Sequence, residues 1–150
     1  MKPERLSNEE FKRIFSRVPR LCVDLIIKDS SGAILLTKRA IKPSLGKWHL
    51  PGGGVKFRET LNNAVKRIAK QELGVNAGPI KLLGFMEFLK EDSGKRHSTS
   101  LVFLTKIKSG KIIIDNQSTD FRFFRKLPGG MIPQHKKFIL KTMPALNSNL

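Results

Sequence analysis

At 150 residues, 39% of them hydrophobic, the chain has the length of one domain with a sizeable core, and no apolar run approaches the roughly eighteen residues of a membrane span. Its 29 Lys and Arg against 12 Asp and Glu leave a net charge of +17, which favours anionic partners, whether nucleotide, nucleic acid or acidic surface. The basic residues are scattered from Lys2 to Lys141 rather than gathered in one tract, so a solvated basic surface is favoured over dedicated nucleic-acid recognition. The opening MKPERLSNEEF lacks the apolar core of a secretory signal, and a cytoplasmic location is the expectation. Residues 1–150 are read as a single domain.

Ser7 and Glu10 stand in capping-box spacing ahead of Phe11, Ile14 and Phe15, which predicts a short amphipathic helix over residues 7–17. The β-rich runs 20–28 and 33–39, joined by the turn Asp29-Ser30-Ser31-Gly32, read as a hairpin. The lone Cys22 has no partner for an internal disulfide and reads as a small buried core residue. A Pro- and Gly-rich loop follows over 40–54, with a short extended piece at Trp48–Leu50. After a helix at 60–73 come strands at 80–90 and 97–107, a weaker pair at 111–114 and 120–126, and one more helix from Pro133 to Met143. Strands with few helices argue for an α+β arrangement, helices packed on a mixed sheet. Trp48, Phe85, Phe88 and Phe103 read as core, His135 as surface, and His49 as pointing away from the face on which Trp48 packs.

On the helix over 60–73, Leu61, Ala64, Val65, Ile68 and Ala69 form one apolar stripe. Glu72 falls inside it, about 20° round from Leu61. It also stands in the last turn before the C-cap candidate Gly74, where the helix dipole disfavours an anion. Burial and dipole both oppose a bare carboxylate there, so a metal ion or a cationic neighbour is expected beside it. The preceding Gly52, Gly53 and Gly54 permit close backbone approach to a ligand.

Together these residues resemble the Nudix hydrolases, whose box reads Gly, five residues, Glu, seven residues, then Arg-Glu-apolar-x-Glu-Glu-x-Gly-apolar. Gly53, Glu59, Arg67, Glu72, Gly74 and Val75 fall in that register over residues 53–75, and KPSLGKWHLPGG looks like the family's approach to the box. The resemblance implies the Nudix fold, an α/β/α sandwich around a mixed sheet, and a divalent-metal hydrolase of nucleoside diphosphate derivatives. Two box carboxylates are replaced, by Ile68 and Gln71, which leaves too little oxygen-ligand charge for a cluster of metal ions. The branch of GDP-mannose mannosyl hydrolases shows the same replacements, together with a short N-terminal helix.

Likeness to that branch implies Mg²⁺-dependent attack of water on a sugar's anomeric carbon, releasing a nucleoside diphosphate and a hexose. It implies a metal held by the Gly53 carbonyl, Glu72 and Gln117, with Arg39 and Arg67 on the substrate's diphosphate side and Asp24 in the substrate site. The commoner role of Arg67 is an ion pair with Glu59. The branch also implies a homodimer. Two positions depart from it: Gly54 stands where the branch has an arginine that aids the leaving group, and Ser118 stands where its histidine base follows the metal-binding Gln. A hydroxyl is no base at neutral pH without an activating partner, so His97 and Asp120 are candidates for a relocated base. The alternatives are a pyrophosphohydrolase of another nucleoside di- or triphosphate derivative, using an acid such as Glu87 or Asp120, and an inactive nucleotide- or RNA-binding module.

Overall fold

The structure is a computed structural model that describes residues 5–147; Lys2 of the basic set lies outside the described residues. Helix α1 (Asn8–Phe15) opens with the expected capping box: the Ser7 side chain accepts from Glu10 N, and Ser7 N donates to Glu10 Oε2. It closes two residues short of the predicted end.

The predicted hairpin is not formed. Strand β1 (Arg20–Ile27) carries five consecutive buried residues, Val23 to Ile27, the pattern of a strand covered on both faces and flanked on both edges. It lies inside a four-stranded mixed sheet of order β4-β1-β6-β5, antiparallel to β4 (Gly52–Gly54) and parallel to β6 (Arg96–Ser109), which in turn pairs with the antiparallel β5 (Asn76–Lys90). The Asp29–Gly32 turn, tied by Ser31 N and Ala33 N donating to Asp29 Oδ1, carries the chain out of that sheet. Strand β2 (Ile34–Arg39) then joins a second, antiparallel sheet between β3 (Trp48–His49) and β7 (Ser118–Phe124). One isolated bridge, Lys28 with Ile34, is what remains of the hairpin.

Helix α2 (Leu61–Leu73) starts at the Thr60 N-cap and stops at Gly74, whose φ of 68° only glycine adopts without strain. Its stripe of Ala64, Val65, Ile68, Ala69 and Leu73 packs on Val23, Leu25 and Ile27 of β1, Leu35 of β2 and Phe103 of β6. The opposite residues of the same strands, Ile26, Leu36 and Val102, join Trp48, Leu50, Met86 and Phe88 under Phe138 and Ile139 of α3 (Pro133–Asn147). The chain is thus α+β, two sheets between helices, and among the described residues no helix is long and apolar enough to cross a membrane.

Four expectations about single segments are corrected. Residues 111–114 form no strand; Ile113 N instead donates to Leu73 O, satisfying one of the open carbonyls at the end of α2. Phe85 is 61% exposed, because the two-residue period of β5 gives the buried phase to Met86 and Phe88. Cys22 is half-buried rather than core, and burial pushes its thiol up to about 11. His135, read as surface, is buried: Leu50 N donates to its Nδ1 at 3.0 Å, and its ring lies 5.8 Å from that of His49, which bonds Thr37 Oγ1.

Burial holds His135 down at about 3, below the ordinary 6.5. Between those values the unfolded chain binds a proton that the folded chain does not, so this contribution to stability is present above pH 6.5 and is lost as pH falls toward 3. Urea unfolding across that range is expected to show a slope from this residue of about 1.4 kcal/mol per pH unit. The slope shrinks in His135→Asn, whose side-chain oxygen still accepts from Leu50 N.

Candidate active site

The three glycines differ in what a Cβ would meet: backbone and a carboxylate at Gly52, a flexible guanidinium at Gly54, and only ordinary van der Waals contact at Gly53. In β4 they pair with Cys22, Val23 and Asp24 of β1. A Cβ on Gly52 would overlap the Asp24 carboxylate and lie 2.6 Å from Val23 O, and one on Gly54 would lie 2.6 Å from Arg20 Cζ. At Gly52 close approach, rather than a positive φ, is what forbids a side chain.

Arg67 then ties this strand to α2. Its Nε donates to Glu59 Oε2 at 2.7 Å, Nη2 donates to Glu59 Oε1 and to Gly54 O, each at 2.8 Å, and Nη1 donates to Gln71 Oε1 at 3.0 Å. Four of the five guanidinium N–H groups are thereby engaged within the box. The hydrogen bonds from Arg67 hold Glu59 below the usual carboxylate range. Gln71 thus serves the clamp. Ile68, 2% exposed, packs 3.5 Å from where a Gly53 Cβ would stand and belongs to the core.

Glu72 is left as the box acid that faces the glycine turn. Gly52 N donates to its Oε2 at 3.1 Å, and Oε1 lies 4.0 Å from the Gly53 Cβ position. Burial, then the negative charge of nearby Asp115, raises its pKa to about 8. Asp24, buried behind it on β1, is pushed up to about 7 by burial, opposed by the Ser100 hydroxyl that donates to Oδ2. Arg39, at the end of β2, donates from Nε to Pro43 O at 2.6 Å. Its neighbour Ala40 N donates to Gln117 O, holding the 115–117 turn beside it, where Gln117 N also donates to Asp115 Oδ1.

Asp24, Arg39, Gly53, Arg67, Glu72 and Gln117 all line one cleft of about 1580 Å³, ample for a nucleoside diphosphate with a sugar attached. Three acids that line it escaped the sequence reading: Glu91, whose Oε1 accepts from Ser98, Asp92 and Asp115. The spacing of Asp115, two residues before Gln117, was the available signal for it. The proposed relocated bases lie elsewhere. Asp120 pairs with Arg122 at 3.2 Å and caps Phe121 N; His97 lines a separate cavity of about 210 Å³; Glu87 is exposed on β5. His49 and His135 do line the cleft wall, but burial keeps both neutral.

A hard cation fits this donor set. A carboxylate raised by burial and by a second acid, with one oxygen toward a peptide turn, gains most from a positive ion. Among the described residues no three His, Cys, Asp or Glu side chains group to hold a metal by themselves, so Glu72 needs carbonyl, amide or ligand oxygens to complete a shell.

Residues 18–139 match the NUDIX domain. Over 140 residues the chain is 29% identical to the low-salt glycan biosynthesis protein Agl8 of Haloferax volcanii, covering 90% of this chain and 89% of that one. An ADP-ribose pyrophosphatase of Methanocaldococcus jannaschii is 34% identical over 106 residues, 71% of this chain and 62% of that enzyme. The crystal structure of a MutT Nudix hydrolase from Burkholderia pseudomallei superposes with a TM-score of 0.72 at 27% identity, covering 82% of this chain and 97% of that one. The chain belongs to the Nudix hydrolase family, whose members generally use a divalent metal.

Neutralising Glu72 separates its two effects. A pKa raised to about 8 from 4.5 means the acid's favourable contribution is complete below pH 4.5 and lost as pH rises through 8. In metal-free protein Glu72→Gln is therefore expected to gain on the order of 1–3 kcal/mol at pH 8 to 9. The same variant is expected to lose the thermal shift that Mg²⁺ or Mn²⁺ gives the wild type, both read by calorimetry.

Proposed function

We propose that this enzyme hydrolyses a nucleotide sugar of the GDP-mannose kind, with water attacking the anomeric carbon and a nucleoside diphosphate leaving. The observation that carries this reading is the fate of the three box positions: Ile68 is core, Gln71 holds Arg67, and Glu72 alone offers a carboxylate to the glycine turn. So few oxygen ligands suit neutralising a leaving diphosphate better than assembling several metals around a phosphorus under attack. The similarity to a glycan biosynthesis protein points the same way.

On this reading Glu72, the Gly53 carbonyl and Gln117 hold one Mg²⁺, which supplies positive charge to the diphosphate. Arg39 adds a fixed guanidinium on the same anion, desolvated enough to act strongly. Arg67 keeps the Gly54 carbonyl and α2 in register, and Asp24 holds a sugar hydroxyl against Ser100. Burial makes His49 and His135 poor proton acceptors and His97 lies outside the cleft, so the proton of the attacking water goes to a cleft carboxylate, and Asp24, Glu91, Asp92 and Asp115 are those within the walls besides Glu72. The reading carries with it a homodimer, checked by light scattering, and a cytoplasmic location.

A second reading, hydrolysis at phosphorus of a nucleoside diphosphate derivative, is favoured by the placement of Asp115 close enough to Glu72 to raise it, since two acids hold metal better than one. Turnover of GDP-mannose in ¹⁸O water separates the two: ³¹P spectra are expected to show nucleoside diphosphate, with the label in the hexose. Label on phosphorus, with a nucleoside monophosphate formed, selects the second reading. Among Asp24→Asn, Glu91→Gln, Asp92→Asn and Asp115→Asn, the variant that removes the base is expected to lower kcat by roughly 10²- to 10⁴-fold.

A further inference from the structure

Arg20 begins β1, and its guanidinium occupies the space directly over Gly54 where a side chain would otherwise start. It is held there by α1: its Cζ lies 4.8 Å from the centre of the Phe11 ring and 5.9 Å from that of Phe15. Arg96, at the start of β6, brings a second guanidinium to the same Phe11 ring at 5.6 Å. Both arginines line the same cleft as Gly53 and Glu72.

The charges at this end are not balanced by direct pairing. Among the described residues no carboxylate stands within ion-pair distance of Arg20. Arg96 meets Asp92 only at 4.0 Å, and its buried Nε has no hydrogen-bond partner. Two like charges gathered on one ring repel each other, and an aromatic face offsets only part of that repulsion. A bound dianion relieves the repulsion and gives the open N–H groups their acceptors. Diphosphate oxygens match that need, because guanidinium forks bind them with two parallel hydrogen bonds.

We propose that Arg20, pre-positioned by Phe11 and Phe15 and joined by Arg96, contacts the diphosphate in the cleft and stabilises it as it departs. Arg20 thereby places a cation at residue 54 from the neighbouring strand, and Gly54 is glycine because that guanidinium needs the room. The departure of a diphosphate rests on the nucleotide-sugar reading; the anion site itself does not.

The geometry supplies a test that leaves the fold intact. A methyl group at position 54 meets the far end of a flexible side chain rather than backbone, so Gly54→Ala displaces Arg20 at small cost in stability. Titration calorimetry with methylenediphosphonate and Mg²⁺ is applied to wild type, Arg20→Gln, Gly54→Ala and the double variant, each checked by its melting curve. Arg20→Gln and Gly54→Ala are each expected to weaken binding by about tenfold or more, the loss of a charge-assisted pair of hydrogen bonds. The double variant is expected to be no weaker than either, since both remove the same contact. Wild-type affinity in either single variant, additive losses in the double, or no binding by the wild type overturns the proposal. The outcome is independent of the ¹⁸O experiment, so a label on phosphorus leaves the anion site standing.

Discussion

The Arg67 guanidinium is the tie on which the cleft depends. Its hydrogen bonds run to the loop at Glu59, to the glycine strand at Gly54 and along its own helix to Gln71. Without them α2 and β4 would share packing and, among the described residues, the one hydrogen bond from Gly52 N to Glu72 Oε2. Charge-assisted bonds in a bidentate arrangement fix orientation as well as distance. On the proposed reading, contact with the substrate then falls to other cations, Arg39 and Arg20 among them.

Two sheets meeting at β1 and β2 complete the setting. Because β1 is central and β2 belongs to the other sheet, the ends of both strands open into the same cleft, placing Asp24 and Arg39 within electrostatic reach of each other. The acids and bases of the cleft then shift one another. Asp24 and Glu72 rise because burial removes water faster than Arg39 replaces its stabilisation. Such carboxylates sit near neutrality, where a proton or a cation is taken up at little cost.

What the sequence reveals here is local. The helix over 60–73, its cap at Gly74 and the inward direction of Glu72 follow from a 3.6-residue period, and the structure reproduces them within a residue. The pairing of β1 was hidden because a run rich in apolar and β-branched residues says that a strand is buried, not which strands flank it. His135 was illegible for a similar reason: the Leu50 amide that it accepts from lies 85 positions away. Arg20 and Phe11 each look ordinary alone, and become a pair only when α1 folds back over β1. Asp115 belongs with Gln117 in a turn that apolar periodicity does not describe.

Ile68 has a consequence for how such a site changes over time. Its side chain fills core volume beneath Gly53, so a glutamate at that position means stripping a packed methyl cluster and burying a carboxylate among apolar side chains. A substitution at Gln71 would at the same time loosen the Arg67 tie. Packing and that tie thus hold the box in its carboxylate-poor form, and a change of chemistry is open chiefly to the surrounding loops, where Glu91 and Asp115 stand.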